Sequence, residues 1–198
     1  MTPFGELIAT PARGTLMGNR GCLHDAQQRI RRPFAVKRWI ICVLQFKGRH
    51  RRVMMPGQYT ELFFLDEATA LAAGHRPCAE CQRERYVLFR EHWAGPGRAL
   101  PSADALDEVL HAERVSAGRG KRTYHERLSR LPSGAMVADD AGRAYLVRED
   151  VLLPWTPGGY GPAEPRPRDG EMAVLTPRSS VRALTRGYPV AVHPPASR

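Results

Sequence analysis

The strongest pattern in the chain is an apolar run. Between residues 34 and 46 the centre reads Trp39-Ile40-Ile41-Cys42-Val43-Leu44, six apolar positions without a break. Such continuity predicts a strand covered on both faces. Shorter strand signals precede it at 6–10 and 15–17, separated by the turn Pro11-Ala12-Arg13-Gly14, and another follows at 58–65. Asp66 is placed to cap a short helix over 67–73, with Gly74 just past its end. Tyr86, Phe89 and Trp93 recur at helical spacing within 82–93 and predict a second helix. Ser102 caps a third over 103–116, with Leu106, Val109, Leu110 and Val115 as its apolar face. The last third reads as strands at 135–138, 144–147, 151–153 and 171–175. The turn Asp139-Asp140-Ala141-Gly142 joins the first two. Residues 154–170, rich in Pro and Gly, predict a long irregular loop that exposes Trp155 and Tyr160. Thr176-Pro177 opens a final helix ending near Arg186, before Gly187. The tail from residue 189 is expected to be extended. No fixed-period repeat occurs.

This order predicts an α+β fold. A small α+β domain is expected over residues 1–95, a linker with one helix over 96–125, and a smaller, mainly β unit with a C-terminal helix over 126–198. The length of 198 residues accommodates such a division.

Charge changes the picture next. The chain carries 30 Lys+Arg against 20 Asp+Glu, a formal net charge of +10. The excess is uneven: residues 1–100 hold 16 basic and 8 acidic side chains, and the remainder 14 and 12. A polyanion is the natural partner of such a field. Only three of the basic residues are lysines, so an arginine-favouring codon bias is the competing explanation. Lys47, Arg49, His50, Arg51 and Arg52 form the densest basic cluster, at an expected hairpin tip. Lys47, Arg49, Arg51, Arg52 and Arg76 are the expected nucleic-acid contacts, with DNA favoured. No run of 18 apolar residues predicts a membrane span, and Met1 to Glu6 lack the basic and apolar regions of a signal peptide. A cytoplasmic protein with no membrane partner is expected; its oligomeric state is not encoded in any pattern found.

The four cysteines, Cys22, Cys42, Cys78 and Cys81, then supply candidate chemistry. Cys78-x-x-Cys81 follows Pro77 at a helix start, and that spacing places two thiolates on one tetrahedral metal ion. Cys22 and His24, in the loop Gly18-Asn19-Arg20-Gly21-Cys22-Leu23-His24-Asp25, are the expected completing ligands of a zinc site. His75 is the alternative fourth ligand, and His50 and Cys42 are weaker ones. Cys42, within an apolar run, reads as a small core side chain. A redox pair and unligated thiols are the other readings of Cys-x-x-Cys.

The segment Asp66-Glu67-Ala68-Thr69-Ala70-Leu71-Ala72-Ala73-Gly74-His75-Arg76-Pro77-Cys78-Ala79-Glu80-Cys81-Gln82 resembles the second half of the Ada-type zinc-binding domain, a DNA methylphosphotriester repair family. The resemblance is clear over residues 66–82 and looser over 15–93. It implies a zinc ion, DNA as partner, and one metal-bound cysteine that accepts a methyl group once. The family's first ligand pair is Cys-x-x-x-Cys. Cys22 matches its first position and would be the methyl acceptor, but Ala26 stands at the second, so His24 would substitute. A neutral imidazole in place of a thiolate lowers the site's negative charge and its nucleophilicity. A structural zinc within a nucleic-acid-binding protein is therefore the expected function. A methyl acceptor, or a zinc-dependent nuclease or hydrolase, is the alternative. No Walker loop, nucleophile elbow or His-Glu-x-x-His motif is present. Lys121, Tyr124, His125 and Glu126 have no spacing that marks them as an acid–base set. Asp139-Asp140 and Glu149-Asp150 sit at turns.

Overall fold

The structure is a computed structural model that describes residues 1–48 and 52–194. Eleven strands and four α-helices occur in the described residues, and the fold is mixed α+β. In chain order they are β1 (Leu16–Asn19), β2 (Ile40–Cys42), β3 (Leu62–Phe64), α1 (Glu67–Ala72), β4 (Arg76–Pro77), α2 (Arg83–Ala94), α3 (Ala103–Arg114), β5 (Tyr124–Arg127), β6 (Met136–Ala138), β7 (Ala144–Arg148), β8 (Val151–Thr156), β9 (Gly159–Tyr160), β10 (Glu164–Pro165), β11 (Glu171–Val174) and α4 (Arg178–Thr185).

Two sheets result. The first has the order β3-β1-β2-β4. β1 lies antiparallel to both of its neighbours, whereas β2 and β4 are parallel. Arg76 and Cys78 donate to β2, so Pro77, which has no N–H, lies where the donor would face away from β2, and β4 serves as an edge. The second sheet runs β10-β8-β7-β6-β11-β5, antiparallel throughout, with β9 folded back on β8. The expected irregular loop over 154–170 is therefore partly ordered: it completes β8 and supplies β9 and β10.

One apolar cluster joins the two sheets. Ile41, Phe64, Leu71 and Phe89 pack with Leu128, Val137, Tyr145 and Val174. The expected boundary near residue 95 does not interrupt this core. Residues 96–125 do more than link, since α3 buries Leu106, Asp107, Leu110 and Arg114. Each fully buried Leu or Phe contributes about 1.5–3 kcal/mol. α1 is buried along its whole length. Its cap is the expected one: Asp66 Oδ1 accepts from the Thr69 N–H at 2.8 Å. At β1, Gly18 is required by close approach, because a Cβ there would lie 2.3 Å from the ring of Phe64.

Trp155 and Tyr160 do not form the expected exposed aromatic surface. Tyr160 is buried and its hydroxyl donates to Asp66 Oδ2 at 2.8 Å. Trp155 is half-buried, and its Nε1 donates to Thr69 Oγ1. Both aromatic side chains dock the second sheet onto the start of α1. The other acid there, Glu67, takes the Tyr188 hydroxyl, the Ala191 N–H and the Arg85 guanidinium.

The carboxyl end of α1 is held differently. Helix ends leave carbonyls without partners, and here three basic side chains supply them. Lys121 Nζ donates to Ala72 O, Arg20 Nη2 to Ala73 O at 3.4 Å, and Arg114 Nη1 to Gly74 O at 2.6 Å. The guanidinium groups of Arg20 and Arg114 both lie over Trp39, 3.8 and 4.0 Å from its ring centre. Gly74 adopts φ +90°, and a Cβ there would fall 2.5 Å from Arg114 Cδ; no other residue fits this turn without strain.

Arg76, expected at a nucleic-acid surface, is instead 1 % exposed. Its guanidinium forms a two-pronged pair with Asp107, at 3.1 and 2.7 Å. Burial pushes the Asp107 carboxyl up, and the Arg76 guanidinium opposes that shift. Removing one partner leaves the other charge buried and unpaired. Asp107→Ala should therefore lower unfolding stability by about 3–5 kcal/mol, read as a fall in the urea midpoint at an unchanged slope.

Candidate metal centre

Cys42, Cys78 and Cys81 come together although they sit in different parts of the chain. Their sulfur atoms all lie within 4.8 Å of one another. Cys42 is the last residue of β2. Cys78 follows β4 directly, and its N–H donates to Ile41 O at 2.9 Å, extending the parallel pairing. Cys81 stands two residues before α2. Gln82 Nε2 donates to the same Ile41 carbonyl at 2.9 Å and ties the loop back to β2. A tetrahedral zinc with Zn–S bonds of about 2.3 Å holds its sulfurs about 3.8 Å apart, so the arrangement fits a metal with little movement.

The loop between Cys78 and Cys81 turns backbone donors toward sulfur. The Glu80 N–H reaches Cys78 Sγ at 3.4 Å. Thiol donation from Cys42, then from Cys81, and backbone donation from Cys81 and Glu80 hold Cys78 well below the usual thiol range. Cys42 is pushed up, first by donating to Cys78 and then to Cys81, with burial adding to the shift. The Val43 N–H donates to the Cys81 sulfur. This is the electrostatic setting of a metal thiolate: N–H dipoles offset part of the negative charge that three thiolates would gather. Cys42 and Cys78 are buried and Cys81 is half-buried. Among the described residues, no fourth His, Cys, Asp or Glu side chain joins the group.

The expected ligands Cys22 and His24 lie outside this group. Both ring nitrogens of His24 are engaged, Nδ1 with Thr60 Oγ1 at 2.6 Å and Nε2 with Met55 O at 3.2 Å. The sulfur of Cys22 faces its own loop, 3.5 Å from His24 O. Together with the Leu23 N–H, which donates to Thr60 Oγ1, these contacts account for the Cys/His loop as structural. His75 is not a ligand either. It is fully buried, accepts from Arg20 Nε at 3.3 Å, and packs against Trp39 and Phe64. Of the expected nucleic-acid contacts, Lys47 and Arg52 are exposed, whereas Arg49 and Arg51, with His50, lie outside the described residues.

Sequence reasoning undervalued Cys42, because a cysteine inside an unbroken apolar run reads as core. The missed signal is positional. The strand ends at Cys42, and Val43 and Leu44 turn progressively outward. A strand terminus is where a side chain can be both held and reached. No protein-family model, curated protein or solved structure matches the chain.

His75 gives a measurable consequence. Burial, then the charges of Arg20, Arg114 and Lys121, hold its pKa well below the usual value. The ring therefore stays neutral in the fold and protonates first in the unfolded chain, at about pH 6.5. The sign follows: stability is fully present above that pH and falls below it, by at most about 1.4 kcal/mol per pH unit. Urea unfolding at pH 7.5, 6.5 and 5.5 should show this loss. His75→Gln should flatten the slope relative to the parent protein.

Proposed function

We propose that Cys42, Cys78 and Cys81 hold a zinc ion, and that the chain binds nucleic acid, DNA in preference to RNA, beside this centre. The proximity of the three sulfurs carries the first part. Soft thiolate donors select zinc, copper(I) or iron–sulfur clusters, and a Cys-x-x-Cys knuckle with a third cysteine is a common zinc arrangement. The resemblance to the Ada-type domain supports zinc, with one change of residue. Cys42 now takes the first-ligand position that Cys22 was expected to fill, and Phe46 stands where the second cysteine of that pair would be. The methyl-acceptor reading of Cys22 therefore has no adjoining metal.

The nucleic-acid part rests on where the basic side chains lie. Residues 26–38 are exposed except Phe34, and they hold Arg29, Arg31, Arg32, Lys37 and Arg38. Lys47 and Arg52 follow shortly after β2. Asp25 pairs with Arg29 and Arg31, at 3.0 and 2.6 Å, and gives the loop a fixed shape. Positive charge thus flanks the strand that ends in Cys42. A second reading is favoured by one observation: three protein ligands with no fourth among the described residues. A zinc ion held that way keeps a position for water, as hydrolytic zinc sites do.

Mass spectrometry under native conditions should find one zinc per chain. It should be lost in Cys42→Ser, Cys78→Ser and Cys81→Ser, and kept in Cys22→Ser and His24→Gln. Zinc that survives Cys42→Ser, or departs with Cys22→Ser, overturns the assignment.

Binding to duplex DNA should weaken linearly in log–log form as salt rises. The combined change Arg32→Ala, Arg38→Ala and Arg52→Ala should lower the slope by about 0.9 for each phosphate contact removed. Affinity that is absent, or indifferent to salt, rejects the nucleic-acid reading.

A further inference from the structure

A cavity of about 750 Å³, lined by none of the three cysteines, lies where the N-terminal segment, β3 and the β8–β9 turn meet. It concentrates exposed apolar surface. Ile8, Ile30, Leu44 and Phe63 all line it, and each is about two-fifths exposed or more. Single exposed apolar side chains need no explanation, but four around one concavity do. Residues 7–10, expected as a strand, run along its wall outside any strand. The volume is that of a small-molecule site.

One wall residue is polar and under-satisfied. Glu61 is 8 % exposed. Its Oε2 accepts from the Met54 N–H at 2.9 Å, and Oε1 has no partner among the described residues. A buried acceptor without a donor costs about 1–3 kcal/mol, more when charged. A ligand N–H placed there would offset this cost. Arg13 also lines the cavity and is exposed. With one carboxylate inside and one guanidinium at the wall, the cavity selects neither a bare cation nor a bare anion. It fits a ligand with a flat apolar body, a neutral N–H donor and an anionic end.

We propose that this cavity binds a nucleotide whose base carries an amino group, with the base packed against Phe63 and Leu44, its amino group donating to Glu61 Oε1, and its phosphate near Arg13. Carboxylates accept from the amino group of cytosine in this manner. Uracil, which presents a carbonyl oxygen at the same place, would face the carboxylate with like charge. The nucleotide comes free or as part of a single strand; the latter source rests on the nucleic-acid reading above.

Calorimetric titration with cytidine and uridine 5′-monophosphates separates the outcomes, repeated with short single strands of deoxycytidine or thymidine. The cytosine ligand should bind at least about tenfold tighter than its partner in one format or both. A preference seen only in strands identifies the strand as the source, and one seen with monophosphates identifies the nucleotide itself. Glu61→Gln keeps an acceptor for the Met54 N–H, and should bring the two bases to within about threefold. Phe63→Ala, an exposed truncation, should weaken both ligands about tenfold by removing a stacking face. Equal affinity for the two bases in both formats overturns the proposal, as does a preference untouched by Glu61→Gln. If duplex binding persists with its salt slope while the bases are not distinguished, the cavity assignment fails and the surface reading stands. Loss of both means that both fail.

Discussion

The carboxyl end of α1 is the constraint on which the rest depends. A buried helix must find donors for its last carbonyls, and the chain must then reverse at Gly74 to become the edge of a sheet. Lys121, Arg20 and Arg114 donate to three successive carbonyls there, from three distant parts of the sequence. Each carbonyl left buried without a donor would cost about 1–3 kcal/mol. Burial lowers both arginines, each to about 9, so they remain cations at neutral pH. Their charges are met by carbonyl oxygens and by the ring of Trp39, with Asp107 as the carboxylate near Arg114. The position of Cys78 is inherited from this arrangement, since β4 begins two residues after Gly74 and ends one residue before the cysteine.

A metal at the three cysteines would join parts that the fold has already brought together. The pairing of Ile40 with Arg76 and of Ile41 with Pro77 sets β2 beside β4. The Gln82 side chain fixes the knuckle to the same carbonyl that receives the Cys78 N–H. Little chain entropy is left for the ion to remove, so its binding free energy is less encumbered by ordering than in a domain that folds around zinc. The contrast with Cys22 and His24 is instructive. Their loop is already closed by Thr60, which accepts from Leu23 and bonds His24, and a metal there would have to break those bonds first.

Much of this architecture was legible in the sequence where local chemistry decides it. The Asp66 and Ser102 caps, the glycine after α1 and the apolar spacing of α2 each appear where pattern places them. Asp139 and Gly142 likewise turn the chain between β6 and β7. The misses share a cause. The run at 34–46 is paired only over Ile40–Cys42, because its neighbours in the sheet are short. Trp39 looked like a strand core residue, whereas two guanidinium groups pack over its ring. Arg76 looked like a surface contact, but its partner Asp107 lies on a helix that sequence reasoning had assigned to a linker. Cys42 looked inert for the same reason: what makes it a candidate ligand is the parallel neighbour β4, and no local pattern announces a parallel partner.

That lesson bears on how the net charge should be interpreted. Arg20, Arg76 and Arg114 are buried, so a count of basic residues overstates the number able to touch a phosphate. Nor do these three add to the field unopposed. Beneath the surface four carboxylates, Glu61, Asp66, Glu67 and Asp107, stand against these three guanidinium groups, so the field outside is set by the exposed side chains. The exposed arginines of residues 26–38 stand before β2 in the chain, and Lys47 and Arg52 stand after it. The positive charge on either side of the strand that presents Cys42 is therefore carried by exposed side chains. On the proposed function, an anionic ligand drawn to those side chains would meet the chain on either side of the strand that ends in Cys42, which is why its two parts belong together.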